Sequence, residues 1–103
     1  MAAIVAQATA HATPATPVKV FEATADSVVN VFCVNAGSAS AAVSVEVRPG
    51  DVAQADEHLL VAGAVVQVGD RLLEGPVYLA DGDAVYGYGG SADLVFHVMG
   101  QTL

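Results

Sequence analysis

The sequence is short of charge, and above all of positive charge. Of 103 residues only 14% are Asp, Glu, Lys or Arg, against roughly a quarter in an average soluble domain. Lys19, Arg48 and Arg71 are the only basic residues, set against 11 acids, for a formal net charge of −8. A nucleic-acid-binding surface needs a cationic footprint that displaces counterions from phosphate, so this balance excludes that class of function. Tryptophan is absent and aromatics make up 6% of the chain. The single cysteine, Cys33, cannot form an intrachain disulfide. Lying in an apolar run, it reads as a small buried hydrophobe. Long hydrophobic spans are missing too. The mean hydropathy is +0.56, yet no stretch of about 18 residues is both strongly apolar and free of charged or turn residues, as a membrane-spanning helix requires. The N-terminal "MAAIVAQATAHATPATP" has neither the basic segment nor the Leu-rich segment of a signal peptide. No membrane partner is expected.

What the chain does have is β signal. "VKVFEAT" supplies a short strand, and "SVVNVFCVNAG" is a β-branched and aromatic run, apolar on both faces, as a central strand should be. In "SAAVSVEVRPG", Val43, Val45 and Val47 alternate with Ser44, Glu46 and Arg48, the pattern of a strand buried on one face. "EHLLVAG" and "AVVQVGD" follow on either side of Gly63. "RLLEGPVYLADGD" ends in the turn dipeptide Asp81-Gly82, and "AVYGYGG" and "DLVFHVMG" complete the set. The best helical stretch, Asp51 to His58, has room for one turn. Strands at intervals of about eight to twelve residues predict one all-β domain, an antiparallel β-sandwich, over Val18–Leu103. Residues 1–17 differ: rich in Ala and Thr, without formal charge, and punctuated by Pro14 and Pro17. Proline forbids a helix there, so the segment is expected to be an extended N-terminal arm that orders on a partner.

Chemistry-bearing residues are sparse. His97 lies between Phe96 and Val98, facing the same way as Val95 and Met99, and reads as a half-exposed strand residue. His58 follows Asp56 and Glu57, but adjacent strand residues point to opposite faces, so a tight metal site is not expected. Asp81 and Asp83 in "LADGDAV" resemble a fragment of a calcium loop without its remaining ligands. The residues read instead as a hairpin turn in which Asp81 caps the backbone and Gly82 takes positive φ. No nucleophile elbow, phosphate loop or paired-carboxylate frame is present. Catalytic residues, metal ligands and cofactors are therefore expected to be none, and the chain not to be an enzyme. Tyr86 and Tyr88 fall on one strand face and suit either a packed interface or an ordinary sandwich surface.

The succession "VNAGSASAAVSVEVRPG", "ADEHLLV" and "AVVQVGDRLLEGPVYLADGDAVYGYGGSADLVFHVMGQ" resembles a group of small virion proteins of tailed bacteriophages. It shares their Asn-containing turn, Val-rich alternating strand, "G-D…L" approach, "L-A-x-G-D" strand end and small-residue turn before a closing strand. The resemblance spans Val18 to Gln101, and departs where "EATADSVV" replaces a Pro-Ala-Gly turn. It implies a jelly-roll-like sandwich serving as a structural protein of the particle: a capsid decoration (cement) protein, often a homotrimer, or a tail, neck or fibre component.

The expected function is thus a decoration protein on the capsid exterior, with the major capsid protein and its own copies, a trimer favoured, as partners. Such a protein stabilises the mature shell by binding it, and symmetry multiplies each weak contact. Within the arm, Ile4 and Val5 are the candidate apolar anchors, with Pro14 and Pro17 keeping it extended. Tyr78, Tyr86 and Tyr88 are the candidate subunit-interface residues. The same tyrosines would be the only aromatics available to a carbohydrate- or cell-surface-binding module, the remoter alternative.

Overall fold

The computed structural model describes residues 3–11 (backbone), 16–91 and 93–103. Eight strands run in chain order: β1 Ala3–His11, β2 Val18–Glu22, β3 Ser27–Asn35, β4 Ala41–Arg48, β5 Leu59–Val66, β6 Arg71–Leu79, β7 Ala84–Gly89 and β8 Leu94–Thr102. They form two antiparallel sheets, ordered β1-β8-β3-β6 and β2-β7-β4-β5. Every pairing between strands is antiparallel, and four of them join β1 to β8, β2 to β7, β3 to β6 and β4 to β5. The chain is all-β, compatible with a sandwich.

Alternation within each strand decides what lies between the sheets. In β3, Val29, Val31 and Cys33 point inward; in β8, Leu94, Phe96 and Val98 do; in β4, Val43 and Val45 do. These residues form one apolar cluster with Val20, Val85 and Leu79. Its largest member is Phe96, whose ring lies against Gly87, where an added Cβ would sit 2.6 Å from it. A small residue in β7 thus makes room for the bulky one in β8. Burial pushes the Cys33 thiol up to about 12, which keeps it un-ionised and inert.

Asn35 closes one end of the core. Fully buried, it donates from its side-chain amide to the carbonyls of Ala39 and Val66, and its Oδ1 accepts from the Gly37 N–H. The Asn-Ala-Gly turn signal therefore has a second function, tying the β3–β4 connection to the end of β5.

Two differences from the sequence-based expectations bear on function. Residues 3–11 are extended, as their composition suggests, but the structure places them in the first sheet as edge strand β1, with Ile4 opposite Gly100 and Val5 opposite Met99. The free edge of β8 needs hydrogen-bond partners, and an uncharged run without proline can supply them. Pro17 is half-buried just before β2, and Pro14 lies outside the described residues. The second difference concerns β4. Its outward residues Ser44, Glu46 and Arg48 are buried as well as Val43 and Val45: Ser44 accepts from the Gly63 N–H of β5, and beside the Glu46–Arg48 pair the segment after β4 folds back so that Asp51 reaches Tyr86. That segment holds two single-turn 3-10 helices, Pro49–Asp51 and Asp56–His58, in place of the one helical turn expected.

Candidate functional site

The outward faces of the two sheets are the parts of the molecule able to meet a partner, and they are chemically opposite. On the first sheet, register sets four rows across β6, β3 and β8: Tyr78–Val28–Gln101, Asn30–Met99, Leu73–Phe32–His97 and Arg71–Val34–Val95. The rows consist mostly of aliphatic and aromatic side chains. Tyr78 is 72% exposed, Leu73 55% and Met99 40%; the β3 residues between them are half-buried by their neighbours. No row contains an acid, and β1 has none in its sequence. A sheet face whose described rows hold Arg71, His97, Asn30 and Gln101 among seven aliphatic or aromatic residues, and no acid, is not an ordinary solvated surface.

The second sheet turns a polar network outward and then covers it. Glu46 on β4 lies opposite Tyr86 on β7, which lies opposite Lys19 on β2. The Arg48 guanidinium stacks 3.6 Å from the centroid of the Tyr86 ring, and its Nη2 lies 3.4 Å from Glu46 Oε2. From above, Asp51 accepts a 2.6 Å hydrogen bond from the Tyr86 hydroxyl and another of 2.6 Å from Lys19 Nζ, which also donates to Glu22 at 2.8 Å. The Lys19 ammonium and the Tyr86 hydroxyl together hold the Asp51 carboxyl below its ordinary value. The same bonds, Asp51 first, raise both Lys19 and Tyr86.

Asp51 reaches this position through an unusual backbone. Gly50 and Asp51 both take positive φ, +62° and +57°, a conformation costly for a residue with a Cβ. Asp83 helps hold it: its Oδ1 accepts from the Gly50 N–H and its Oδ2 from the Ala80 N–H. Beneath the loop three buried polar atoms have no hydrogen-bond partner, namely Glu46 Oε1, Arg48 Nε and His58 Nδ1. A fully buried carboxylate with one oxygen unpartnered is costly, and Glu46 depends on Arg48 for its compensation.

No family model, no curated protein and no solved structure matches the chain.

The sequence-selected residues therefore divide. Tyr86 and Tyr88 share the outward face of β7, whereas Tyr78 stands on the other sheet, so the three do not form one surface. Tyr86 is engaged by Arg48 and Asp51 within its own chain. His97 faces outward with Val95 and Met99 on the apolar face. At "LADGDAV", Gly82 takes φ +92°, but the backbone cap comes from Asp83 and from Asp26, whose Oδ1 accepts from the Asp81 N–H, rather than from Asp81. Among the described residues no three His, Cys, Asp or Glu side chains gather in a way that could hold a metal ion. The buried Glu46–Arg48 pair escaped sequence reasoning. Its one signal was the "RPGD" that turns the chain back over the strand it has just left.

Proposed function

We propose that this chain is a structural subunit of a tailed-phage virion: a capsid decoration protein that binds the outside of the mature shell and stabilises it. The observation that carries this reading is the largely apolar, acid-free outer face of β8-β3-β6 on a chain of net charge −8. Confining the acids to the rest of the surface leaves one face suited to burial against protein. The strand orders support reading the sandwich as a jelly roll. The pairs β1–β8, β2–β7, β3–β6 and β4–β5 are those made when one long antiparallel ribbon folds over on itself into two four-stranded sheets. That architecture recurs among capsid and lectin domains, and fold alone does not fix function. The sequence resemblance to phage virion proteins is what selects between them.

In this reading the partners are the major capsid protein and further copies of the chain, and the protein carries out no chemical reaction and uses no cofactor. Decoration works by mass action: each copy that binds only the expanded lattice lowers that lattice's free energy. An acidic protein on the capsid exterior is kept apart from the packaged genome, which its charge would repel. A tail, neck or fibre component would use the same face in fewer copies. A glycan-binding module is less well supported, since Tyr78 is on the opposite sheet from Tyr86 and Tyr88, and Tyr86 is already occupied.

The test is the copy number of the protein in purified particles, measured by quantitative mass spectrometry against the major capsid protein. Decoration requires a ratio approaching one to one. A ratio far below that selects the tail, neck or fibre reading, and absence from particles overturns the virion assignment.

A further inference from the structure

We infer that the outer face of the β1-β8-β3-β6 sheet is covered by the same face of a second copy of this chain, the two related by a two-fold axis running across the strands. The inference deepens the virion reading by naming what meets this face before any shell is present.

The first argument is size. Four strands of nine residues each, at about 4.8 Å between strands and about 3.3 Å per residue, give a projected footprint of roughly 570 Å². Side-chain relief raises the accessible area toward the ~800 Å² per partner of a stable protein–protein interface. Whole sheet faces are natural packing units: two twisted sheets stack face to face about 10 Å apart with interdigitating side chains. A patch of this extent is near the upper end of what soluble monomers leave open, about 300–600 Å². The occupant always available at equal concentration is another copy.

The second argument is charge. A chain of −8 associates with itself only through a surface from which the acids are excluded, and this face has none in its rows. Its one permanent charge, Arg71, sits at one end of β6, with Tyr78 at the other end of the same strand. Symmetry then decides the geometry. An in-plane two-fold running along the strands would bring β6 of one copy over β1 of the other, setting Arg71 at the row position of His11, a residue that is itself cationic when protonated. The two-fold running across the strands keeps β6 over β6 and exchanges its ends. Arg71 then meets Tyr78 of the second copy, and Tyr78 meets Arg71 in return, one cation–π contact made twice. The rows Asn30–Met99 and Leu73–Phe32–His97 face each other at the centre, and Val28 meets Val34 on either side. A three-fold ring, as the family resemblance implies, would instead need this face to fit a second, different patch.

Sedimentation equilibrium on the full chain, with and without Leu73→Asp and Tyr78→Asp, tests the inference. Both positions are exposed, so circular dichroism should show the same fold in each variant. The expected result is a dimer that persists in 1 M NaCl, because its contacts are apolar, and a dissociation constant at least tenfold weaker in either variant. Arg71→Ala and Tyr78→Ala should weaken it less than additively when combined. A monomer throughout, a trimer, or a dimer indifferent to Leu73→Asp would each overturn the inference. A dimer absent from phage particles would sustain it while removing the virion reading. A monomer present at high copy on shells would do the reverse.

Discussion

The two sheets turn different surfaces outward: around Glu46 one is closed by the chain itself, with Leu60 and Val65 of β5 still exposed beside it, and the other is left open. Over β2-β7-β4-β5, the loop after β4 folds back, Asp51 caps Tyr86, and Tyr86 lies under the Arg48 guanidinium, so that Glu46 is fully buried on what would be the solvent side of a two-layer sandwich. Over β1-β8-β3-β6 nothing comparable occurs. Phe32, Leu73, Met99 and Tyr78 face outward with no covering segment among the described residues. A closed face contributes to the stability of one chain; an open apolar face contributes little to it and, in the proposed reading, meets another chain. The difference separates residues whose loss should unfold the protein from those whose loss should only disconnect it.

The sharpest way to break the closed face is to remove one member of its buried ion pair. Arg48→Ala leaves the fully buried Glu46 carboxylate without its charge partner, and also strips the cation–π contact from Tyr86. Loss of one partner from a buried pair costs about 3–5 kcal/mol, and that is the expected drop in urea-unfolding stability. The double variant Glu46→Leu, Arg48→Met should recover most or all of it, because two apolar side chains of similar volume leave no orphaned charge. A single variant as stable as the parent would show that Glu46 is solvated and the face is not closed.

Much of this architecture is legible in the sequence, and the failures share a cause. The inward rows of β3, β4 and β8 follow from period-two alternation, and the Asp81-Gly82 turn follows from the demand for positive φ. Those signals are local. What could not be read is long-range. Glu46 and Arg48 look like solvent-facing residues because alternation says nothing about a loop that returns over its own strand. Residues 3–11 look like an appendage because the edge of β8 that recruits them lies some ninety positions away in the chain. The placement of Tyr78 apart from Tyr86 likewise depends on which sheet each strand joins, and no dipeptide signals that.

A smaller effect comes from the anchor beneath the loop. Asp83 accepts from both Gly50 and Ala80, so Asp83→Ala should release the loop that carries Asp51 and cost about 1–2 kcal/mol, in keeping with hydrogen bonds to a partly exposed charged acceptor. Hydrogen exchange should rise over residues 49–58 and hardly at all in β3 and β8. Equal protection loss in both sheets would mean that the loop is part of the global fold rather than a cover over one face. Chelators should change neither quantity.

The Asp51 bonds can be read from both ends of the pH scale. The folded carboxyl lies below its ordinary 3.8, so its contribution is complete above that value and is lost as pH falls through the folded pKa. Tyr86 and Lys19 are raised, so their contributions are complete below their ordinary values and are lost as pH rises through the folded ones. Melting temperature should therefore sag below about pH 4 and again above about pH 10. Asp51→Asn should flatten part of both declines. Because Lys19 is exposed and Asp51 and Tyr86 are only half-buried, the change should be modest and should shrink in high salt; an unchanged acid limb in Asp51→Asn would detach the loop from the network.

The smallest stability effect belongs to the open face, and its smallness is the point. Leu73→Asp and Tyr78→Asp place a charge where the isolated chain already meets water, so at dilutions where any assembly is dissociated their unfolding free energies should fall within about 0.5 kcal/mol of the parent. The Arg48→Ala deficit, by contrast, should be undiminished at every concentration, since it arises inside one chain. As the parent is concentrated, its apparent stability should rise above that of the two Asp variants, because association draws the folded state away from the unfolded. A constant gap of several kcal/mol at all concentrations would instead mean that Leu73 and Tyr78 are structural, and that the open face is as much a part of the fold as the closed one.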